Sequence, residues 1–277
     1  MAVGGVTLLA IESATDMVGV ALIRDDGAAA ERVHHGGRAH AELLAPAIKE
    51  ICAVSGCAVA DIDRIAVDVG PGLFTGLRVG VATAKALAQA LGIGVLGVSS
   101  LDVLAAAVLD RAAPTGAEVG VVASVVDARR GEVFAAVYRF GGARGASRTG
   151  RAPVRSPRAD PESVRQERPQ PIGPEVLEEW LVGLAADAGR VTVVGDGATR
   201  YRHLLAVHGS LDLRWADELS APPPLVQARL ALDRLARGVP TVPASEVVPD
   251  YRRPADARIN WEQRGPRPPA PGNVPPG

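Results

Sequence analysis

The order of apolar segments in this chain predicts an α/β fold, in which helices pack on a mixed sheet. Three short apolar stretches come first, over residues 6–12, 17–24 and 28–34. Tight turns at 13–16 and 25–27 separate them, so we expect an antiparallel meander of three strands. The sheet therefore begins with antiparallel pairs.

Alternating helices and strands follow the meander, and this alternation favours parallel strands joined by helical crossovers. Helix-spaced apolar residues over 39–54 place Leu44, Ile48 and Ile51 on one stripe. The further predicted elements are a strand over 64–69, a helix over 75–91, a strand over 94–97 and a helix over 100–111. Three antiparallel strands followed by such units are the ribonuclease-H-like topology.

The second half of the chain repeats part of this order. It contains predicted strands over 119–126, 132–140 and 191–194, and predicted helices over 174–186, after 195–198 and over 222–237. We therefore expect two tandem ribonuclease-H-like domains, 1–110 and 111–255, the second of them degenerate.

Two segments fall outside this pattern. Residues 141–173 are rich in Gly, Pro and Arg, which predicts a solvated basic insertion, with contact to nucleic-acid phosphates as the less favoured alternative. Residues 256–277 are rich in Pro and Gly, and we expect a disordered tail there.

Composition excludes several classes of function. The net charge is −1 and aromatic residues make up 3% of the chain, which argues against a nucleic-acid-binding surface built on charge or base stacking. Two cysteines make no disulfide framework. Neither a secretory signal nor a membrane-spanning run is visible, so we expect a cytoplasmic protein with no membrane contact.

The run from Asp68 to Gly80 joins the strand 64–69 to the following helix through Gly-Pro-Gly. Gly70 and Gly72 permit backbone angles closed to other residues, and Thr75 is placed to cap the helix. A plain connection is the favoured interpretation, although such a joint also suits an anion. The run is neither a nucleoside-triphosphate P-loop nor a dinucleotide fingerprint.

Glu12 and Asp68 end two of the predicted strands. Carboxylates there can contact a phosphate through magnesium, or they can accept hydrogen bonds from turn N–H groups, which we favour. The candidate phosphate or nucleotide contacts are Glu12, Gly70, Gly72 and Thr75. No histidine spacing predicts a metal site, and no catalytic residue is predicted.

Small residues recur every four positions along the helix 75–91. One row holds Gly76, Gly80, Ala84 and Ala88, and the adjoining row holds Ala82, Ala86 and Ala90. Such rows let a helix lie close to its own sheet or to a partner helix, and both can hold on different faces. The candidate partner contacts are Leu44, Ile48, Ile51, Gly76, Gly80, Thr83 and Ala84.

Five segments together resemble the TsaB (YeaZ) family. They are 8–15, 40–46, 70–80, 127–134 and 249–254, in the family's order, and the run Gly-Pro-Gly-Leu-Phe-Thr-Gly is the most specific of them. The resemblance implies the actin/Hsp70/sugar-kinase (ASKHA) superfold.

The resemblance also implies a function. TsaB-like proteins are non-catalytic subunits that dimerise with and activate TsaD, which forms N6-threonylcarbamoyladenosine at position 37 of tRNAs reading ANN codons. It implies contact through the first two helices, a TsaE-like ATPase as a further partner, a homodimer through the same helices, and only indirect contact with tRNA. No cofactor is expected on this chain alone, while ATP or ADP is a candidate at the TsaD interface.

Three departures and two alternatives accompany the resemblance. Glu12 stands where the family often has Asp, Leu73 where Ser is usual, and Arg252 where Leu is usual. Leu73 removes a hydroxyl and weakens the case for phosphate binding. The TsaD metal motif is absent, since Leu44 stands four residues after His40. The alternatives are an ATP-hydrolysing enzyme of the same superfold and, less favoured, a glycoprotease-like metallopeptidase.

Overall fold

Two five-stranded mixed sheets frame the protein, in a computed structural model that describes residues 5–35, 39–140, 160–161, 165–167, 170–205 and 212–252. The first sheet has the order β3-β2-β1-β4-β5, in which β1 pairs antiparallel with β2 and parallel with β4. Its strands are β1 (Leu8–Glu12), β2 (Met17–Ile23), β3 (Ala29–His35), β4 (Arg64–Gly70) and β5 (Val95–Ser99).

The second sheet repeats this topology. Its order is β10-β9-β6-β7-β8, so β6 pairs antiparallel with β7 and parallel with β9, as β1 does with β2 and β4. Its strands are β6 (Val121–Arg129), β7 (Glu132–Arg139), β8 (Arg165–Glu167), β9 (Val191–Val194) and β10 (Leu213–Ala216). The predicted fold class, two tandem ribonuclease-H-like units, is confirmed.

Among the described residues, six α-helices cover the sheets. They are α1 (His40–Val54), α2 (Phe74–Leu91), α3 (Ser100–Ala112), α4 (Pro174–Ala188), α5 (Asp196–Leu205) and α6 (Pro224–Ala236). Helices α1 and α2 pack on one face of the first sheet, and α4 and α5 on the outer face of the second. Helices α3 and α6 lie between the two sheets.

Burial on both faces explains the composition of the central strands. Every residue of β1, Leu-Leu-Ala-Ile-Glu, is buried, because α1 and α2 cover one face and α6 covers the other. A strand enclosed in this way is apolar almost throughout. The edge strand β3 contains only exposed and half-buried residues, and its sequence is correspondingly more polar.

A buried ionic cluster ties the central helices to the second sheet. Asp102 of α3 accepts bonds from the Tyr138 hydroxyl at 2.9 Å, from Arg165 at 3.1 Å and from Arg234 of α6 at 2.8 Å. Burial, followed by the charge of Asp102, raises the pKa of Tyr138. Charges withdrawn from water need such pairing, so this cluster joins α3, α6, β7 and β8 at one point.

The chain returns to the first sheet at its C-terminal end. Residues 239–252, which we call the C-terminal strap, exchange two backbone hydrogen bonds between Val242 and Val95 of β5, at 2.8 and 2.9 Å. Lys85 of α2 donates to the carbonyl oxygen of Val247 at 3.2 Å, and the Val247 side chain is buried in the core under α2. The strap therefore covers one flank of α2.

Several sequence predictions can be placed on this fold. The helices expected over 39–54, 75–91, 100–111, 174–186 and 222–237 are confirmed within a few residues. The short strands β8 and β10 were not predicted, because three or four residues carry no readable period. Helix α6 and the strap contact the first sheet, whereas the boundaries 1–110 and 111–255 stay a prediction.

The insertion 141–173, apart from residues 160–161, 165–167 and 170–173, and the tail 256–277 lie outside the described residues. Within the described ranges, no helix is both long enough and apolar enough to cross a membrane.

Candidate functional site

Two buried carboxyls meet where β1 and β4 end. The parallel register pairs Ile11 with Val67, so Glu12 and Asp68 follow side by side, and both are fully buried. Glu12 Oε1 accepts the Ala14 N–H at 2.8 Å. Asp68 Oδ1 accepts the Gly70 N–H at 2.6 Å and the Ser100 hydroxyl at 2.7 Å. Each carboxyl thus holds the turn that follows its own strand, as the structural interpretation of the sequence predicted.

The electrostatics of this pair follow from its burial. Burial raises the pKa of Glu12 well above its usual value, and the nearby charge of Asp68 raises it further. Burial likewise raises the pKa of Asp68, while its hydrogen bonds act in the opposite direction. Two carboxyls in one dry site cannot both ionise without cost.

The second sheet carries acids at the equivalent positions. Asp127 stands near the end of β6, and Asp196 is the first residue of α5, separated from the end of β9 by Gly195. Asp196 accepts the Asp127 N–H at 2.9 Å. Burial raises the pKa of Asp196 to about 6. The repeated topology brings all four acids to the carboxyl ends of matching strands.

An arginine bridges the two sheets at this point. Arg129, the last residue of β6, places Nη2 at 2.8 Å from both carboxylate oxygens of Asp16, which lies in the turn after β1. Its Nη1 is 3.2 Å from Asp127. Arg129 has φ of +63°, a left-handed conformation that is costly for a non-glycine residue. This bridge was missed by the sequence analysis, because pairs distant in sequence leave no local pattern.

The Gly-Pro-Gly joint is filled by the chain itself. The Leu73 N–H donates to the Ala14 carbonyl oxygen at 2.7 Å, and a Cβ on Gly72 would lie 2.3 Å from that same oxygen. Gly70 has φ of +105°, which favours glycine. Thr75 is exposed and makes no capping bond, so the predicted cap is wrong and α2 begins at Phe74 without one. At least one N–H expected to face an anion is therefore bonded within the chain.

The first small-residue row of α2 faces its own sheet. A Cβ on Gly76 would lie 2.0 Å from the Ser13 carbonyl oxygen, and one on Gly80 would lie 2.2 Å from Ser13 Oγ. Ala84 is fully buried. The stripe of α1 is equally enclosed, since the core under α1 and α2 contains Leu44, Ile48 and Ile51. Of the seven candidate partner contacts, only Thr83 is half-buried rather than buried.

The second small-residue row of α2 faces outward. Ala82, Ala86 and Ala90 are exposed, and Val79 beside them is half-buried. At the start of the helix, the Arg78 guanidinium lies 3.9 Å from the Phe74 ring centroid and donates to the Tyr251 hydroxyl at 3.2 Å. Tyr251 comes from the strap, so the C-terminal part of the described chain contributes to this face.

His40 and the cysteines provide no metal ligation in this region. His40 is buried and bonds through Nε2 to the Thr15 carbonyl oxygen at 2.8 Å. Burial raises the pKa values of the Cys52 and Cys57 thiols. The part of the chain that the structure describes contains no group of three or more His, Cys, Asp or Glu residues arranged to hold a metal ion.

The chain is similar in sequence and in fold to proteins that are already known. The family model of TsaD, described as tRNA N6-adenosine threonylcarbamoyltransferase, matches residues 32–198. The chain is 28% identical over 257 residues to the tRNA threonylcarbamoyladenosine biosynthesis protein TsaB of Bacillus subtilis, covering 92% of this chain and 97% of that protein. The chain belongs to the TsaB (YeaZ) family. The resemblance stated from five short segments is thus confirmed.

Two further TsaB-family comparisons agree. Escherichia coli TsaB is 34% identical over 132 residues, which is 48% of this chain and 54% of that protein. A solved structure from Pseudomonas aeruginosa, of an uncharacterized protein with similarity to peptidase YeaZ, aligns with a TM-score of 0.68 at 29% identity. That alignment covers 90% of this chain and all of the other, so both sheets are shared.

Proposed function

We propose that this TsaB-family chain is a non-catalytic subunit that pairs with a TsaD-like catalytic subunit and activates it in forming N6-threonylcarbamoyladenosine in tRNA. The observation that carries the proposal is the outward face of α2. It presents Ala82, Ala86 and Ala90 on a helix whose opposite face is anchored in the core.

The chemistry of this face suits a helix from a partner. Interaxial distances between packed helices fall to about 8–10 Å and depend on the side chains at the contact, so alanines permit close approach. The centre of a protein interface is also depleted of charged residues. The row of alanines is itself uncharged. Of the charged residues of α2, Lys85 donates to strap carbonyl oxygens, and Arg78 stands toward the N-terminal end of the helix.

The predicted partner contacts need one adjustment. Gly76, Gly80 and Ala84 act indirectly in this proposal, because they hold α2 close to its sheet and leave the alanine row outward. Leu44, Ile48 and Ile51 support α1 from within. A homodimer would use the same outward face, and we expect a TsaE-like ATPase to act on the complex of the two subunits rather than on this chain alone.

The absence of catalysis in this proposal rests on how the acids are engaged. Glu12, Asp68 and Asp196 each accept a backbone N–H, and Arg129 bonds Asp127 and Asp16. These contacts support a structural role for the acids. Threonylcarbamoyl transfer is then assigned to the TsaD-like partner.

One observation favours a second function. Acids stand at the ends of matching strands in both sheets, where an ATP-using enzyme of this superfold would need them. Magnesium-dependent ATP turnover by the isolated chain, abolished by Glu12→Ala in a folded protein, would support that alternative. ATP or ADP held jointly with the partner is compatible with the first proposal.

A pair of matched substitutions tests the proposed interface. Ala86→Arg places a long charge on the alanine row, and Ala186→Arg places the same charge on an exposed site of α4 in the second unit. We expect Ala86→Arg to abolish co-elution with a TsaD-like subunit and to abolish tRNA modification by the mixture. Ala186→Arg should keep both, and both variants should melt like the unsubstituted chain. Equal behaviour of the two variants would refute the interface, and tRNA modification by the TsaD-like subunit without this chain would refute the function.

A further inference from the structure

The buried carboxyls of Glu12 and Asp68 have one oxygen each left over. Glu12 Oε1 and Asp68 Oδ1 accept the turn hydrogen bonds described above, whereas Glu12 Oε2 and Asp68 Oδ2 are buried with no donor among the described residues. A buried acceptor without a donor costs about 1–3 kcal/mol. The parallel register sets these two carboxyls side by side in the buried site. Two ionised carboxylates cannot hydrogen-bond each other, because neither carries a donor.

We propose that Glu12 and Asp68 share a single proton, and that this proton clamps the turn after β1 to the Gly-Pro-Gly turn after β4. The proton converts one carboxyl into a donor and satisfies both leftover oxygens. Each carboxyl also holds its own turn, so the proton connects Ala14 on one side with Gly70 on the other.

The surrounding charges favour retention of this proton. Asp102 of α3 and Asp196 of α5 add negative charge near the pair. The nearby arginines form ion pairs with other acids, because Arg234 of α6 bonds Asp102 and Arg129 bonds Asp16. Other polar or ionisable groups on packed elements include Ser100 on α3, Gln227 on α6, Asp127 on β6 and His40 on α1, and each makes a hydrogen bond. Among the described residues named here, none is a free cation that could replace the proton.

The clamp acts on the base of α1 and α2. The turn after β1 accepts bonds from the Leu73 N–H and from His40, the first residue of α1, and it lies against Gly76 and Gly80 of α2. Loss of the proton would leave two like charges in one buried site and push these turns apart. The spacing of α1 and α2 would then depend on protonation. This coupling to partner binding rests on the proposed function, whereas the shared proton itself does not.

The proton has a direct spectroscopic test in the full-length chain. Glu12→Gln keeps the geometry, because the amide can donate to Asp68 while its oxygen accepts the Ala14 N–H, but it removes the titratable proton. At a pH well above 6, where Asp196 is ionised, the infrared spectrum of the unsubstituted chain should contain the C=O stretch of a carboxylic acid. That band should be missing from Glu12→Gln and from Asp68→Asn. Its absence from the unsubstituted chain would overturn the proposal.

The pH dependence of unfolding gives a second test. The folded-state pKa of Glu12 is raised above 4.5, so above that pH the folded chain holds one proton more than the unfolded chain. Stability must therefore fall as pH rises, by tenfold in the unfolding equilibrium constant per pH unit, until the folded-state pKa is passed. Above pH 6, where the contribution of Asp196 has ended, Glu12→Gln should lack this slope. Equal slopes in the two proteins would contradict a shared proton.

Two further outcomes distinguish the shared proton from its proposed effect on partner binding. A cation bound between two ionised carboxylates would abolish the infrared band and make stability sensitive to a chelator, which refutes the proposal. Association with a TsaD-like subunit should weaken with rising pH for the unsubstituted chain and stay constant for Glu12→Gln. Constant association for both proteins would refute the coupling alone, and failure of both to associate would refute the proposed function.

Discussion

The Ser13 hydroxyl donates a hydrogen bond of 2.9 Å to the Gly76 carbonyl oxygen, across a separation of 63 residues in sequence. This bond attaches the turn after β1 to the first turn of α2. It leaves no room for side chains at Gly76 or Gly80, because both lie directly over Ser13. Because this face of α2 is held against the turn, the row of Ala82, Ala86 and Ala90 on the other face points outward.

Gly80→Ala should therefore be destabilising, and Ser13→Ala should partly relieve it. The added methyl would lie 2.2 Å from Ser13 Oγ but 3.4 Å from Ser13 Cβ, so removing the hydroxyl opens the space. We expect Gly80→Ala to lower the free energy of unfolding by about 1–3 kcal/mol, measured by urea denaturation. Gly76→Ala is the matched control, because it meets the Ser13 carbonyl oxygen and Ser13→Ala cannot rescue it. Additive effects of Gly80→Ala and Ser13→Ala would contradict this contact.

Asp196→Asn should make the chain more stable at neutral pH. The pKa of Asp196 rises from 3.8 to about 6 on folding, so the folded chain binds the extra proton and stability falls as pH rises between these values. At about 1.36 kcal/mol per pKa unit, the ionised carboxylate costs up to roughly 3 kcal/mol above pH 6. The amide oxygen of Asn can still accept the Asp127 N–H. Thermal melts from pH 4 to pH 7 should show a flatter profile for the variant, while the exposed Asp187→Asn should keep the original slope.

Val247→Ala and Val248→Ala test whether the strap belongs to the core. Val247 is 4% exposed and packs under α2, while its neighbour Val248 is 67% exposed. Val247→Ala removes the equivalent of two buried methylene groups and leaves a small cavity. We therefore expect the free energy of unfolding to fall by about 2 kcal/mol. Val248→Ala should change stability by less than about 0.5 kcal/mol. Equal and small losses in urea denaturation would mean that the strap is only loosely attached.

Sequence patterns predicted those features of the fold that depend on a few neighbouring residues. Apolar periodicity and turn residues predicted β1 to β5 and their helices, because each signal lies within a few residues. The orientation of α2 could not be predicted, since the rows beginning at Gly76 and at Ala82 are both small and uncharged. Only the contact with Ser13 distinguishes them.

The positions of the acidic residues could be predicted from the sequence, but their contacts could not. Glu12 and Asp68 were recognisable as strand ends, but their adjacency depends on the register of two parallel strands 56 residues apart. The bridge from Arg129 to Asp16 depends on the placement of one sheet against the other. Neither relationship leaves a pattern within one window of sequence, whereas the strand-end positions themselves do.

The return of α6 and the strap to the first sheet has a consequence for synthesis on the ribosome. When residues up to Ala112 have emerged, the face of β1 that carries Leu8 and Ala10 still lacks Ala228 and Ala231, which cover it in the finished protein. Domains usually fold in order during translation, and exposed apolar strands in unfinished chains are prone to aggregation. The first half of this protein therefore stays partly open until α6 has left the exit tunnel.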